Sequence, residues 1–319
     1  MASPDLSPAR TVDQALAAGR ALGLDRLDVR LLVAWALGRT PTWVLAHGDA
    51  VLDAEVADRL ADALQRRADA VPLAYLVGRR EFHGLDLAVD ARVLDPRPDT
   101  ETLVDWALEH LAALHPPGPP GSPGPTVVDL GTGSGAVALA LARARPDARV
   151  WAVDRSRGAL AVAAANARRL GLPVHILHGD WWRDWALFGP DGAPAPSRFD
   201  LAVSNPPYLA VDDPHLPALR HEPREALVAG DDGLEAYRTL VAGAAAHLRS
   251  GGALLLEHGH DQAQAVELLL AAAGGRPLPG RHDLGGHRRC SGAVWPADSE
   301  LHRSADAADP PHPGSIPAA

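Results

Sequence analysis

At 319 residues, with 47% hydrophobic and 22% charged residues, the chain is long enough to bury one large core or two of ordinary size. A formal net charge of −10, reached without a single lysine, argues against a surface that tracks a phosphate backbone, because such affinity comes from cationic neutralisation. No apolar run is long enough to cross a bilayer, and one cysteine, Cys290, excludes an internal disulfide.

From residue 12 to about residue 70, apolar residues recur at helical spacing: Leu16, Leu22, Leu27, Leu31, Leu32 and Trp35, then Val51, Val56, Leu60 and Leu64. This predicts a small helical bundle. Thr40 reads as a helix cap with Pro41 at the first helical position. Across 72–89 the pattern shifts to alternation about a central glycine, which predicts a β-hairpin joining two domains. Two prolines stiffen 95–101, where Asp99 or Thr100 is placed to cap a helix carrying Leu103, Val104, Trp106, Ala107 and Leu111 and ending by His115. Residues 116–125 are almost wholly proline and glycine and predict an exposed connector.

Beyond that connector strands alternate with helices. Strands are predicted over 127–130, 149–153, 174–177, 199–204 and 253–257, and helices over 136–145, 158–170 and 234–248. Such alternation means an α/β fold with a mainly parallel sheet and helices on both faces. Few large apolar residues follow, so 297–319 is expected to be a disordered tail. The chain therefore divides into a helical domain (1–71), a hairpin linker (72–95), an α/β domain (96–296) and the tail. Met1-Ala2-Ser3-Pro4-Asp5 lacks the basic start and apolar stretch of an export signal, so the expected compartment is the cytoplasm.

The first α/β strand runs into Asp129-Leu130-Gly131-Thr132-Gly133-Ser134-Gly135, at the strand-to-helix position where open α/β sheets bind ligands. Glycines there let backbone approach a ligand closely. The Gly-x-Gly-x-Gly spacing departs from the dinucleotide fingerprint, in which the helix start holds a pyrophosphate. Roughly twenty residues on, Asp154 ends the second strand, where a carboxylate accepts hydrogen bonds from ribose hydroxyls. The third strand ends near Gly179-Asp180-Trp181, which offers an acceptor for an adenine amino group and an aromatic face for its ring. Each residue alone also reads as a cap, turn or packing residue; after three successive strands they describe a site for adenosine without a diphosphate.

The fourth strand ends in Asn205-Pro206-Pro207-Tyr208, the most specific signal in the chain. Prolines fix the backbone and cannot donate, so the loop carbonyls stay available, and Asn205 adds a side-chain acceptor. Two acceptors can orient one planar NH2 group. Bonds from both its hydrogens to Asn205 and Pro206 would raise electron density on the nitrogen and aim it, while Tyr208 stacks on the plane. The proton can leave after transfer, so no strong base is needed first.

Together with Pro72-Leu73-Ala74-Tyr75-Leu76, Arg80-Glu81-Phe82, Pro96-Arg97-Pro98-Asp99-Thr100-Glu101, Glu222-Pro223, Ala226-Leu227 and Leu254-Leu255-Leu256-Glu257-His258-Gly259, these motifs make the chain resemble the release-factor glutamine-N5 methyltransferases, the HemK/PrmC family. The resemblance covers nearly everything before the tail. It implies a Rossmann-like, seven-stranded class I methyltransferase sheet with a small N-terminal helical bundle that docks the substrate protein. It implies S-adenosyl-L-methionine as cofactor, class 1 peptide chain release factors as partners, and the glutamine of their Gly-Gly-Gln loop as acceptor. Carried over by position, Gly131, Thr132, Gly133, Ser134, Gly135, Asp154, Trp181 and Asn205 would bind the cofactor, with Asp180 added from the reading above. Asn205, Pro206, Pro207 and Tyr208 would receive the glutamine. Asp95 stands where an apolar residue is expected before Pro96-Arg97-Pro98, a loop that the resemblance places near the cofactor's methionine end. A monomer without metal, membrane or direct nucleic-acid contact is expected.

Three other readings compete. Asn-Pro-Pro-Tyr is shared with enzymes that methylate exocyclic amines of DNA or RNA bases, and a sister enzyme modifies a ribosomal-protein glutamine. A non-catalytic module could keep the fold without turnover. A metal site drawing on His258, His260, His282, His287 and Cys290 lacks paired ligand spacing.

Overall fold

The computed structural model describes residues 10–116, 118, 123–188 and 193–296. The expected tail lies outside the described residues, as does half of the proline-glycine connector.

The chain opens with α1 (Val12–Ala21), α2 (Arg26–Leu37), α3 (Pro41–Ala46), α4 (Ala54–Ala68) and α5 (Leu73–Val77). Side chains of Thr11, Asp25, Thr40 and Asp53 accept backbone N–H groups at the starts of the first four, satisfying donors that a helix start otherwise leaves orphaned. Their apolar stripes close a core of their own, with Val12, Val29, Leu32, Val33, Val44, Leu60 and Leu64 all buried.

The alternation at 73–77 is misleading, because α5 forms there instead of a hairpin arm. Two cores claim that segment at helical spacing: Leu76 packs into the bundle and Ala74 into the α/β core. The hairpin itself is β1 (Arg79–Phe82) and β2 (Leu85–Ala88), turned by His83 and Gly84, both at positive φ (48° and 74°). Two consecutive left-handed residues match the twist of the flanking strands. Phe82, Leu85 and Leu87 bury against the α/β core.

A single 3-10 turn, Pro98–Thr100, leads into α6 (Glu101–Leu114). Neither Asp99 nor Thr100 caps α6 through its side chain, contrary to expectation; the Thr100 hydroxyl is engaged elsewhere, as shown below. Then follow β3 (Thr126–Leu130), α7 (Ala136–Ala144), β4 (Arg149–Asp154), α8 (Arg157–Leu170), β5 (Val174–Asp180), β6 (Arg183–Leu187), β7 (Phe199–Ser204), α9 (Glu235–His247), β8 (Leu248–Glu257), α10 (Ala263–Ala272), β9 (Arg276–Pro277), β10 (Arg281–His282) and β11 (Arg288–Val294). The sheet order is β10-β11-β8-β7-β3-β4-β5-β6, with β9 also on β11. β5, β4, β3, β7 and β8 are parallel; β6 and β11 run antiparallel to their neighbours.

The described sheet thus has nine strands where seven are implied by the resemblance. One addition is β6, an edge strand with no fully buried residue, so its sequence carries no alternation to read. The other arises because the strand before β11 is split into two short pieces, β9 and β10, by a segment holding Pro279 and Gly280.

Every residue of β3 and β7 is buried, as central strands covered on both faces require. Val127 packs with α6, α7 and α8, and Val128 with α9 and α10. One buried amide couples the hairpin to this core. Asn166 on α8 accepts from the Ala88 N–H (2.8 Å) and donates to the carbonyls of Ala88 and Ser134, both at 3.0 Å. It satisfies the end of β2 as a strand neighbour would, and ties it to the glycine loop.

Candidate functional site

The strand order turns back on itself at β3, whose neighbours are β4 on one side and β7 on the other. At such a switch the loops leaving adjacent strands diverge and open a crevice at the carboxyl edge. A cavity occupies that place, lined by Gly131, Thr132, Gly133, Ser134, Asp154, Asp180, Trp181, Asn205 and Pro207. The site residues expected from four separate strand ends therefore share one wall. Gly135, Pro206 and Tyr208 do not line the cavity.

The loop after β3 is held by its own strand neighbours. Gly131 and Thr132 both donate to the Val153 carbonyl at 2.9 Å, and the Ser204 hydroxyl donates to the Leu130 carbonyl at 2.6 Å, pinning the ends of β3 and β7 together. Gly131 sits at φ 76°, and a Cβ there would come within 3.2 Å of the Trp181 ring, so backbone and indole are in close contact. Gly135 (φ 85°) begins α7, where a Cβ would press on Leu139 and Ala163. Its part is to let the start of α7 approach α8.

Asp154 accepts from the N–H of Gly133 (2.9 Å) through one oxygen and of Ser156 (2.8 Å) through the other. Burial raises its pKa, and those N–H groups pull it back down. Asp129, fully buried at the end of β3, accepts from the Thr132 hydroxyl (2.7 Å) and the Ala138 N–H (3.2 Å), both on Oδ2. Desolvation pushes its carboxyl up to about 7. It borders the cavity, so a carboxyl poised to ionise faces whatever binds there. Asp180 is more exposed and paired with Arg183 at 2.8 Å, so one of its oxygens is already engaged.

Asn205 donates from Nδ2 to the Thr100 hydroxyl at 3.0 Å. The loop behind it is rigid: Tyr208 and Leu209 both donate to the Leu227 carbonyl, and Gln262 donates from its side chain to the Tyr208 carbonyl at 3.0 Å. The Tyr208 ring packs partly buried against the core under α9 and β8, and burial raises its phenol pKa.

The Pro96-Arg97-Pro98 loop was expected near the cofactor's methionine end, but none of its residues, nor Thr100, was assigned a site role from the sequence. Arg97 and Thr100 reach the cavity from the turn before α6. Asp95, unexpected in place of an apolar residue, is buried between Arg80 (3.5 Å) and Arg97 (3.6 Å), and its N–H donates to Glu222. Arg97 pairs in turn with Glu222. Desolvation raises the pKa of Asp95 despite both arginines. The Pro-Arg-Pro segment is thereby latched to the loop after β7.

Among the described residues no group of three His, Cys, Asp or Glu side chains is placed to share a metal ion. His258 is buried with its ring nitrogens at hydrogen-bond distance from the Gly259 carbonyl and the Ser291 hydroxyl, and Cys290 is buried opposite Glu257.

Residues 12–78 match the family model for the PrmC N-terminal domain, and residues 127–230 that of a methyltransferase domain. A release factor glutamine methyltransferase of Burkholderia pseudomallei is 47% identical over 285 residues, spanning 87% of this chain and 94% of that protein. Its counterpart in Bordetella pertussis is 45% identical over 85% of this chain and 95% of its own length. That of Pseudomonas aeruginosa is 43% identical over 85% and 92%.

Proposed function

This chain belongs to the release factor glutamine methyltransferase family, and on that premise we propose that it transfers a methyl group from S-adenosyl-L-methionine to the side-chain N5 of the glutamine in the Gly-Gly-Gln loop of class 1 release factors. The observation that carries this reading is the placement of Asn205 on the wall of the cavity that the glycine loop also lines. An acceptor held by Asn205 is thereby next to any methyl donor held by Gly131, Thr132, Gly133 and Ser134.

The residues present fit that donor. Asp154, at the end of β4, suits a ribose diol; the Trp181 ring, against Gly131, suits a flat base; and Asp129 suits a cationic ammonium or sulfonium. Gly135 and Asp180 complete the donor side, the first by seating α7 and the second at the rim. The bound donor supplies an electrophilic methyl group. On the acceptor side an amide nitrogen is a poor nucleophile because its lone pair is delocalised into the carbonyl. Asn205 Oδ1 and the Pro206 carbonyl would each take one N–H, holding the nitrogen and favouring the charge that grows on it. Pro207 keeps the loop rigid, and Tyr208, partly buried against the core, would stack on the acceptor's planar amide. The bundle of residues 1–71 would dock the release factor, with 72–95 joining it to the transfer domain of 96–296. No helix among the described residues is long and apolar enough to cross a membrane; the cytoplasm, where release factors act, is the proposed compartment.

The test mixes purified protein and radiolabelled S-adenosylmethionine with unmodified release factor, the same factor carrying Gln→Ala in its Gly-Gly-Gln loop, ribosomal protein and DNA. Label is expected on unmodified release factor alone. Label on ribosomal protein or DNA instead would sink the substrate assignment and leave the donor site standing.

The pKa of Asp129 adds a second expectation. A cationic donor favours its ionised form, so below about pH 7 a proton must be displaced on binding and affinity falls as the pH drops. The dissociation constant should rise by up to about tenfold per pH unit below that point, the limit for one proton. Calorimetric titrations at several pH values should show it, and Asp129→Asn should flatten the slope. A slope unchanged by that variant would assign the proton elsewhere.

A further inference from the structure

The amide of Asn205 can serve the acceptor only with its oxygen outward, and nothing in a free asparagine prefers that orientation. The partner on its inner side is the Thr100 hydroxyl, at 3.0 Å. A hydroxyl can present either its hydrogen or a lone pair, so it would accept either end of the amide unless its own hydrogen is committed. Glu257 supplies that commitment. The parallel register pairs Ser204 with Leu256, so the next residues, Asn205 and Glu257, leave adjacent strand ends. Glu257 is buried, with 2% of its surface exposed, and its Oε2 atom has no hydrogen-bond partner among the described residues. Desolvation pushes its carboxyl up to about 7, and the neighbouring Thr100 hydroxyl pulls it back toward the ionised form. Thr100 is itself 4% exposed, which leaves water little access to either group.

We propose that Thr100 and Glu257 are positioning residues for the methyl transfer: the Thr100 hydrogen turns to the Glu257 carboxylate, its lone pair takes the Nδ2 hydrogen of Asn205, and Oδ1 is left facing the acceptor. This rests on the reading of Asn205 as the acceptor's partner, though not on which NH2-bearing substrate is used. The Thr100 hydroxyl is free for this part because the residue's backbone is already helical (φ −65°, ψ −20°) and its side chain does not cap α6, so it reaches Asn205, 105 residues away in sequence.

The experiment compares Thr100→Val, Thr100→Ser, Glu257→Gln and the double variant Thr100→Val/Glu257→Gln in the full chain. It measures kcat and KM for release factor at saturating donor, together with donor affinity by calorimetry and the thermal midpoint of each variant. Valine matches threonine in shape and lacks the hydroxyl, so kcat is expected to fall about 10- to 100-fold, the scale of a misaimed reacting group, with donor affinity within about twofold. Serine restores the hydroxyl and should recover most of the rate. If both side chains act through one amide, the double variant is no slower than the slower single one. Wild-type kcat in Thr100→Val, a loss of rate in Thr100→Ser equal to that in Thr100→Val, or a loss confined to donor affinity would each overturn the proposal. Should wild-type protein label ribosomal protein or DNA in place of release factor, the same ratios are read on that acceptor, which separates failure of the substrate assignment from failure of this one; a wild type that labels none of them overturns both.

Discussion

Replacing Asn205 with alanine is expected to lower kcat for release-factor methylation by about 100- to 1,000-fold, the range seen when one preorganised polar contact to developing charge is removed. The side chain is held from behind by Thr100, so its Oδ1 costs little reorganisation when the acceptor arrives. Alanine removes that acceptor and leaves one N–H of the substrate amide without a partner. The backbone should be little disturbed, because the loop is fixed by Leu227 and Gln262 through main-chain atoms of Tyr208 and Leu209. Donor affinity should therefore change much less than kcat, although Asn205 borders the same cavity as the glycine loop. Single-turnover rates at saturating donor, beside a calorimetric titration, would show this. A kcat within about fivefold of wild type would remove Asn205 from the transfer step.

Gly131→Ala is expected to weaken donor binding by about tenfold and to lower stability by about 1–2 kcal/mol. The stability loss follows from φ 76°, a left-handed conformation that costs a residue with a Cβ about that much. The binding loss follows from the 3.2 Å approach of the new methyl to Trp181. Backbone on the other side is tied to Val153, so the indole has to give, and the indole is part of the cavity wall. Urea midpoints and donor titrations separate the two effects. Lost stability with unchanged affinity would reduce Gly131 to a tight strand-to-helix turn.

Much of the site was legible because its signals are local. Buried strands read as apolar runs, the Gly131-to-Gly135 loop and the Asn205-to-Tyr208 loop declare their backbone demands in consecutive residues, and the repeated strand-then-helix order places each loop at the same sheet edge. By contrast, 73–77 alternates like a strand and folds as a helix, since two cores claim that short segment from different sides. β6 has no buried face and left no pattern to find.

Composition, spacing and turn chemistry by themselves determined the α/β class, the bundle before it, and the strand-end loops, Gly131 to Gly135 and Asn205 to Tyr208, which border the cavity. Tertiary structure alone decided which polar groups meet: Thr100 with Asn205, Asn166 with Ala88, and Asp95 with Glu222, partners 105, 78 and 127 residues apart. The reason lies in the range of the forces. Helix and strand preferences depend on neighbours a few residues away, whereas a buried polar group must find a partner wherever chain closure brings one, because leaving it unpaired costs about 1–3 kcal/mol.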